Sequence, residues 1–251
     1  MDIPEEAFRH EALRDASTQL RLLKSRPASE CHKDSSCYTL RVYSVDKAPR
    51  YQAISYSWGE LSGNCSICID GRHFNVSQNC WYALTQATCL DSQEHIWIDQ
   101  ICIDQRNSTE KSTQVRLMGS IYTKANIVLA SLGPHDGDSG SIFRWCVEFD
   151  NYMRAAAQDP EYEGVHAHSS DVYGTVVNAK SLRIFDWCRA QSMEPINRRI
   201  TALYSLSRRP YFSRLWIIQE LLLAQNVTLV CGDNTVAFDD FIALYHALHE
   251  Y

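Results

Sequence analysis

One carboxylate stands inside an apolar run. In "SRLWIIQELLLAQNVTLVCGD", beginning at Ser213, Glu220 interrupts a stretch from Leu215 to Ala224 that otherwise reads as core. Trp216 lies four residues earlier, the spacing that puts two side chains on one helix face. An indole beside a carboxyl makes a low-dielectric neighbourhood, which raises a carboxyl pKa and suits it to acid–base or charge-stabilising work. The competing reading pairs Glu220 with a nearby arginine, Arg209 or Arg214. A second cluster is "WIDQICIDQ", where Asp99, Asp104 and Gln105 surround an expected strand end. Acids there can hold ribose hydroxyls, and Asp104 is equally suited to a turn or cap. A third is "SYSWGE", with Ser55, Tyr56, Ser57, Trp58, Gly59 and Glu60. Gly59 permits close backbone approach and Trp58 offers a face for a planar ring, unless the segment is a turn around a buried aromatic.

These groups need elements to position them. Hydrophobic residues make up 45% of the 251, enough for a sizeable core. Strands are expected at "CYTLRVYSV", "YQAISYSWG", "EHIWIDQICI", "NIVLASLG" and "VTLVCG". A hairpin is expected around Asp70-Gly71. Helices are expected after the cap Ser77, along "STEKSTQVRLMGSIYTKA", over 141–158 and 178–206, from Pro210 through Glu220 to about Asn226, and along "FDDFIALYHALHEY". A further helix is expected at Glu5–Lys24. The alternation of strand and helix implies an α/β fold with a largely parallel sheet covered on both faces. Ligand sites in such sheets form beyond the carboxyl ends of strands, where the clusters above fall.

Other chemistries are disfavoured. The net charge of −6 argues against a general nucleic-acid binder, although seven arginines between Arg183 and Arg214 form a local basic stretch. Cys65-x-x-Cys68 lacks a second pair at zinc spacing, and His166-x-His168 is equally thin, so no metal is expected. Cys102 has no implied histidine base. No GxGxxG or P-loop occurs. Ten cysteines, many in apolar runs, together with a charged first segment and no membrane-length apolar run, point to the cytoplasm.

"YQAISYSWGE", "HIWIDQICIDQRNSTEKSTQVRLMGSIYTKANIVLASLG" and "RRPYFSRLWIIQELLLAQNVTLVCG" resemble, in order, the three blocks of the fungal HET (heterokaryon incompatibility) domain. The resemblance covers most of residues 51–232. It implies an extension over 1–36 and a HET domain over 37–251, with a helical insertion at about 134–207. HET domains are regarded as distant relatives of TIR domains. "AISYSWGE" is similar to the first TIR strand and loop, and "SRLWIIQEL" to the TIR segment S-x-W-C-x-x-E-L, with Ile217 in place of the cysteine and Trp58 added before the glycine. The implied fold is TIR-like (flavodoxin-like), with the hairpin and the insertion added.

The implied role is cytoplasmic cell-death signalling in a filamentous fungus, with hydrolysis of NAD+ at the nicotinamide–ribose bond. Glu220 is then the catalytic candidate and Trp216 its neighbour. From placement, Asp99 or Asp104 would hold ribose, Trp58 would stack, Ser57 and Gly59 would line the approach, and Arg209 or Arg214 would meet the pyrophosphate. NAD+ is the substrate and no cofactor is needed. The rival expectation is a non-enzymatic module that self-associates and signals through a protein partner. A homo-oligomer on activation fits both.

Overall fold

A computed structural model of the chain describes residues 7–27, 37–59, 65–137, 139–157 and 196–249. They form two compact units, residues 1–133 with 213–230, and residues 134–212 with 231–251.

The first unit is a mixed sheet with helices. Its strands are β1 (Gln19–Ser25), β2 (Cys37–Ser44), β3 (Tyr51–Tyr56), β4 (Cys65–Ile69), β5 (Arg72–Val76), β6 (His95–Trp97), β7 (Ile127–Ser131) and β8 (Val227–Cys231), whose last residue falls in the second unit. They lie in the order β5-β4-β2-β1-β6-β3-β7-β8. β3 runs parallel to β6 on one side and β7 on the other, and β8 runs parallel to β7. β1 is antiparallel to both β2 and β6. The helices are α1 (Gln78–Leu90), the single turn α2 (Asp99–Cys102), α3 (Ser108–Lys124) and α6 (Ile217–Leu222). Every residue of β3 is buried, as a strand inside a parallel block requires. After β3 the chain makes the β4–β5 hairpin at the sheet edge and then, through α1, returns to β6 on one side of β3 and later to β7 on the other. The end of β3 is therefore a topological switch point, the position where such sheets bind ligands.

Local signals account for several elements. Asp70 (φ 50°) and Gly71 (φ 80°) supply the two positive φ angles of a type I′ turn between β4 and β5. Ser77 caps α1, its Oγ accepting from the Cys80 N–H at 3.2 Å. α3 turns Gln114, Met118, Ile121 and Tyr122 inward.

Three expectations need correction. Residues 19–24, expected at the end of a leading helix, lie instead in β1. Seven residue pairs bind it to β2, and Leu20, Leu22 and Leu23 are fully buried. Non-local pairing and burial outweigh local helix preference there. This strand precedes the boundary expected at residue 36. The strand expected over "EHIWIDQICI" ends at Trp97, because the Asp99 carboxylate accepts the Gln100 N–H at 2.7 Å and opens a helical turn instead. The helix expected from Pro210 to about Asn226 is split into a 3-10 turn, Pro210–Ser213, and the short α6. The break lets Arg214 reach Glu220. Six residues apart on an unbroken helix, the two would face different directions.

The second unit contains α4 (Ser139–Ala157), α5 (Ile196–Ser207), β9 (Asn234–Ala237) and α7 (Phe238–His249). α4 packs against α5, α7 and β9 around Phe143, Phe149, Leu206, Phe241 and Leu244. Arg199 places its guanidinium 5.2 Å from the Trp145 ring centroid. His166, His168 and most of the expected insertion lie outside the described residues, as does Glu60. Among the described residues, no helix is long and apolar enough to cross a membrane.

Candidate functional site

The end of β3 meets α6 and α2 at one polar cluster. Glu220, on α6, is only 1% exposed. Its carboxylate takes a two-pronged ion pair from Arg214: the guanidinium donates from Nη1 to Oε2 at 3.0 Å and from Nη2 to Oε1 at 2.7 Å. Such fork-to-fork pairing is strong and directional. The Ser55 hydroxyl, near the carboxyl end of β3, also donates to Glu220 Oε2, and Arg214 Nη1 lies 3.4 Å from that hydroxyl. The pairing anticipated as the alternative is thus present, with Arg214 as the partner. Trp216 does not provide the dry wall expected of it. It precedes the first turn of α6, is 49% exposed, and approaches Glu220 through its backbone carbonyl, which accepts the Glu220 N–H at 3.1 Å.

Asp99 is the second carboxylate. Its Oδ2 accepts from Trp58 Nε1 at 2.7 Å and its Oδ1 from the Gln100 N–H. Its pKa is pushed up to about 6, first by desolvation. The Glu220 charge adds to the rise, while the Trp58 and Gln100 hydrogen bonds and the Arg214 guanidinium oppose it. A carboxyl titrating there can exchange a proton near neutral pH. Tyr56, close by, is held well above its ordinary value by burial and then by Asp99.

The turn after β3 is shaped by glycine. Gly59 has φ +67°, and a Cβ at that position would come 2.6 Å from Asn79 Nδ2. That same amide nitrogen donates to the Ser57 carbonyl at 2.9 Å, fixing the loop to α1. The Ser57 hydroxyl is buried without a hydrogen-bond partner among the described residues. Trp58, 36% exposed, presents its ring at this mouth with Lys111 Nζ 6.0 Å from the centroid.

Ser57, Trp58, Gly59, Asp99, Arg214 and Glu220 are thus carried by the β3 end, α2 and the segment entering α6. Asp104 follows α2. It accepts the Arg106 N–H at 3.1 Å, lies 3.8 Å from His10 Nδ1, and lines a cavity of about 630 Å3 that also borders Trp58. Arg209 belongs to the second unit, where its Nη1 donates to Cys231 Sγ at 3.3 Å. Cys102 is buried, and its thiol is pushed up to about 12 by desolvation, which suits a core residue rather than a nucleophile.

Sequence reasoning did not find the Ser55–Glu220 hydrogen bond, whose partners are 165 residues apart. It also missed the walls that Phe8 and His10 give the cavity, while Gln105, named beside Asp104, does line it. A group around His135 was missed as well. His135 lies 3.7 Å through Nδ1 from Cys231 Sγ and 3.3 Å through Nε2 from Asn234 Nδ2, in the second unit. No local pattern marked these residues.

Comparison with known proteins identifies the family. The family model described as "Heterokaryon incompatibility protein (HET)" matches residues 51–220. The chain is 29% identical over 248 residues to "Heterokaryon incompatibility protein 6, OR allele" of Neurospora crassa, an alignment covering 90% of this chain and 35% of that protein. The chain therefore spans about a third of the length of this curated relative. No solved structure matches. The family match extends over more than half of the chain, and the chain belongs to the HET family.

Proposed function

We propose that this HET domain acts in incompatibility and cell-death signalling in the cytoplasm, and that it does so by hydrolysing NAD+ at the nicotinamide–ribose bond. The observation that carries the reading is the gathering of Glu220, Arg214, Ser55, Asp99 and Trp58 at the β3 switch point. In the reaction the C–N bond breaks and its electron pair leaves with the neutral nicotinamide. The ribosyl centre becomes cationic in the transition state, and water adds to it. No general acid is needed because the leaving group starts as a cation.

Glu220 stabilises the developing positive charge, and Ser55 holds the carboxylate in place. Asp99 accepts the proton from the attacking water, a task matched to its raised pKa. Arg214 keeps Glu220 paired in the resting protein. The substrate's pyrophosphate draws the guanidinium away and frees the carboxylate to face the ribose. The order of the parallel strands, β6-β3-β7-β8, accords with a TIR-like, flavodoxin-like ancestry for such a site. The test is chromatography of NAD+ incubated with the purified chain. Equal amounts of nicotinamide and ADP-ribose support hydrolysis, and intact NAD+ at every protein concentration rejects it.

A second reading rests on a different feature. Leu215, Ile218 and Leu222 are 81%, 59% and 74% exposed around the turn that carries Glu220. An apolar patch of this kind suits self-association of a non-enzymatic signalling module, in which the Arg214–Glu220 pair is structural. Concentration-dependent assembly without nicotinamide release favours it.

A further inference from the structure

The cavity beside Trp58 has a volume of about 630 Å3, within the roughly 300–1,000 Å3 range of small-molecule sites. Trp58 connects it to the carboxylate cluster, since its ring lines the cavity while its Nε1 holds Asp99. Three kinds of group line the walls.

Planar groups come first. Phe8, His10 and Phe74 meet edge to face, with centroids 5.3, 5.6 and 5.7 Å apart, and the Trp58 ring joins them as a wall. Two cations follow. Arg9 and Arg106 are exposed cavity residues, and neither guanidinium takes part in an ion pair among the described residues. Acceptors are the third kind. Besides the Asp104 carboxylate, Gln105 Oε1 is buried with no hydrogen-bond partner among the described residues, while its Nε2 is committed to the Asp99 carbonyl at 2.9 Å. A buried acceptor left without a donor is costly, and it marks a place for one supplied by a ligand.

The wall made by residues 7–10 is anchored. The Phe8 N–H donates to the His73 carbonyl at 2.8 Å, and His10 Nε2 meets the Ile101 carbonyl at 2.7 Å. Aromatic faces, unpaired guanidiniums and spare acceptors together fit a phosphorylated nucleoside. The base stacks, the phosphate meets arginine, and the ribose or amino donors reach the acceptors.

We propose that the N-terminal arm and the loop after α2 form the binding site for the adenosine-phosphate half of NAD+. This rests on the hydrolytic reading for the other half. Trp58 lines both regions, so a dinucleotide bound across it places its adenosine end in the cavity and its nicotinamide riboside end toward Asp99 and Glu220. Arg9 and Arg106 take the phosphate, and Asp104 and Gln105 accept from the adenosine portion.

Calorimetric titration of the purified chain with AMP and with adenosine tests the proposal. AMP is expected to bind more tightly than adenosine, and its affinity should weaken as salt is raised. The Arg9→Ala/Arg106→Ala double variant removes only exposed side chains and should lose about tenfold or more in AMP affinity. Arg116→Ala, at an exposed arginine outside the cavity, should bind as wild type does. Absence of AMP binding, or equal binding by the double variant, overturns the proposal. Nicotinamide release measured on the same samples separates the two readings. Release without AMP binding removes the cavity's role and leaves hydrolysis standing. AMP binding with the expected losses but no release keeps the nucleotide site and removes the hydrolytic reading. Neither binding nor release removes both.

Discussion

Glu220 and Asp99 are two carboxylates in different surroundings. Glu220 is buried and committed to Arg214 and Ser55. Asp99 is hydrogen-bonded to Trp58 and titrates near 6. Environments this unlike assign different roles to the same functional group. Glu220→Gln keeps the shape and removes the charge. It is expected to reduce nicotinamide release at least 100-fold, while costing about 1–3 kcal/mol of stability through the weakened charge-assisted pair. Turnover and denaturant unfolding on the same preparation check both figures. Asp99 makes a pH prediction. As a proton acceptor it works when ionised, so release should fall as pH drops through about 6, and Asp99→Asn should flatten that limb of the profile. Its effect on stability has the opposite slope. Folding raises the carboxyl from 3.8 to about 6, so the folded form binds the proton more tightly. That contribution is full below pH 4 and is lost as pH rises to 6, by up to about 3 kcal/mol, and Asp99→Asn should remove the slope from unfolding curves.

At the scale of elements, the β3 end depends on glycine at 59. Gly59→Ala must hold φ +67° and bring its Cβ against Asn79. It should cost about 1–3 kcal/mol, with part of the loss recovered in a background of Asn79→Ala, as paired unfolding curves would show. Leu22→Ala in β1 should cost about 2–5 kcal/mol, because its side chain is fully buried in the core. The sequence made visible the elements with strong local chemistry. Asp70-Gly71 announces its turn, Ser77 its helix, and the tyrosine-flanked "YQAISY" its buried strand. It concealed β1, because "QLRLLKS" suits a helix face until seven partners on β2 are available. It concealed the break before α6 for a similar reason. Only the long-range meeting of Arg214, Glu220 and Ser55 justifies ending a helix there. The site was legible as separate fragments, each at a strand end. Which fragments meet is set by sheet order, and short motifs carry no information about it.

The whole molecule places a HET family chain in about a third of the length of its Neurospora relative. Turnover rather than assembly separates the two roles, since both an enzyme and a scaffold can associate through Leu215, Ile218 and Leu222. The most direct measurement is release of nicotinamide from NAD+ at high protein concentration by wild type, Glu220→Gln and Arg214→Ala, each with its fold verified by thermal melting. Release by wild type, at least 100-fold less from Glu220→Gln, and a raised KM for Arg214→Ala through loss of its pyrophosphate contact are expected. Release by Glu220→Gln at the wild-type rate would contradict the role of that carboxylate. No release by any of the three would contradict the enzyme.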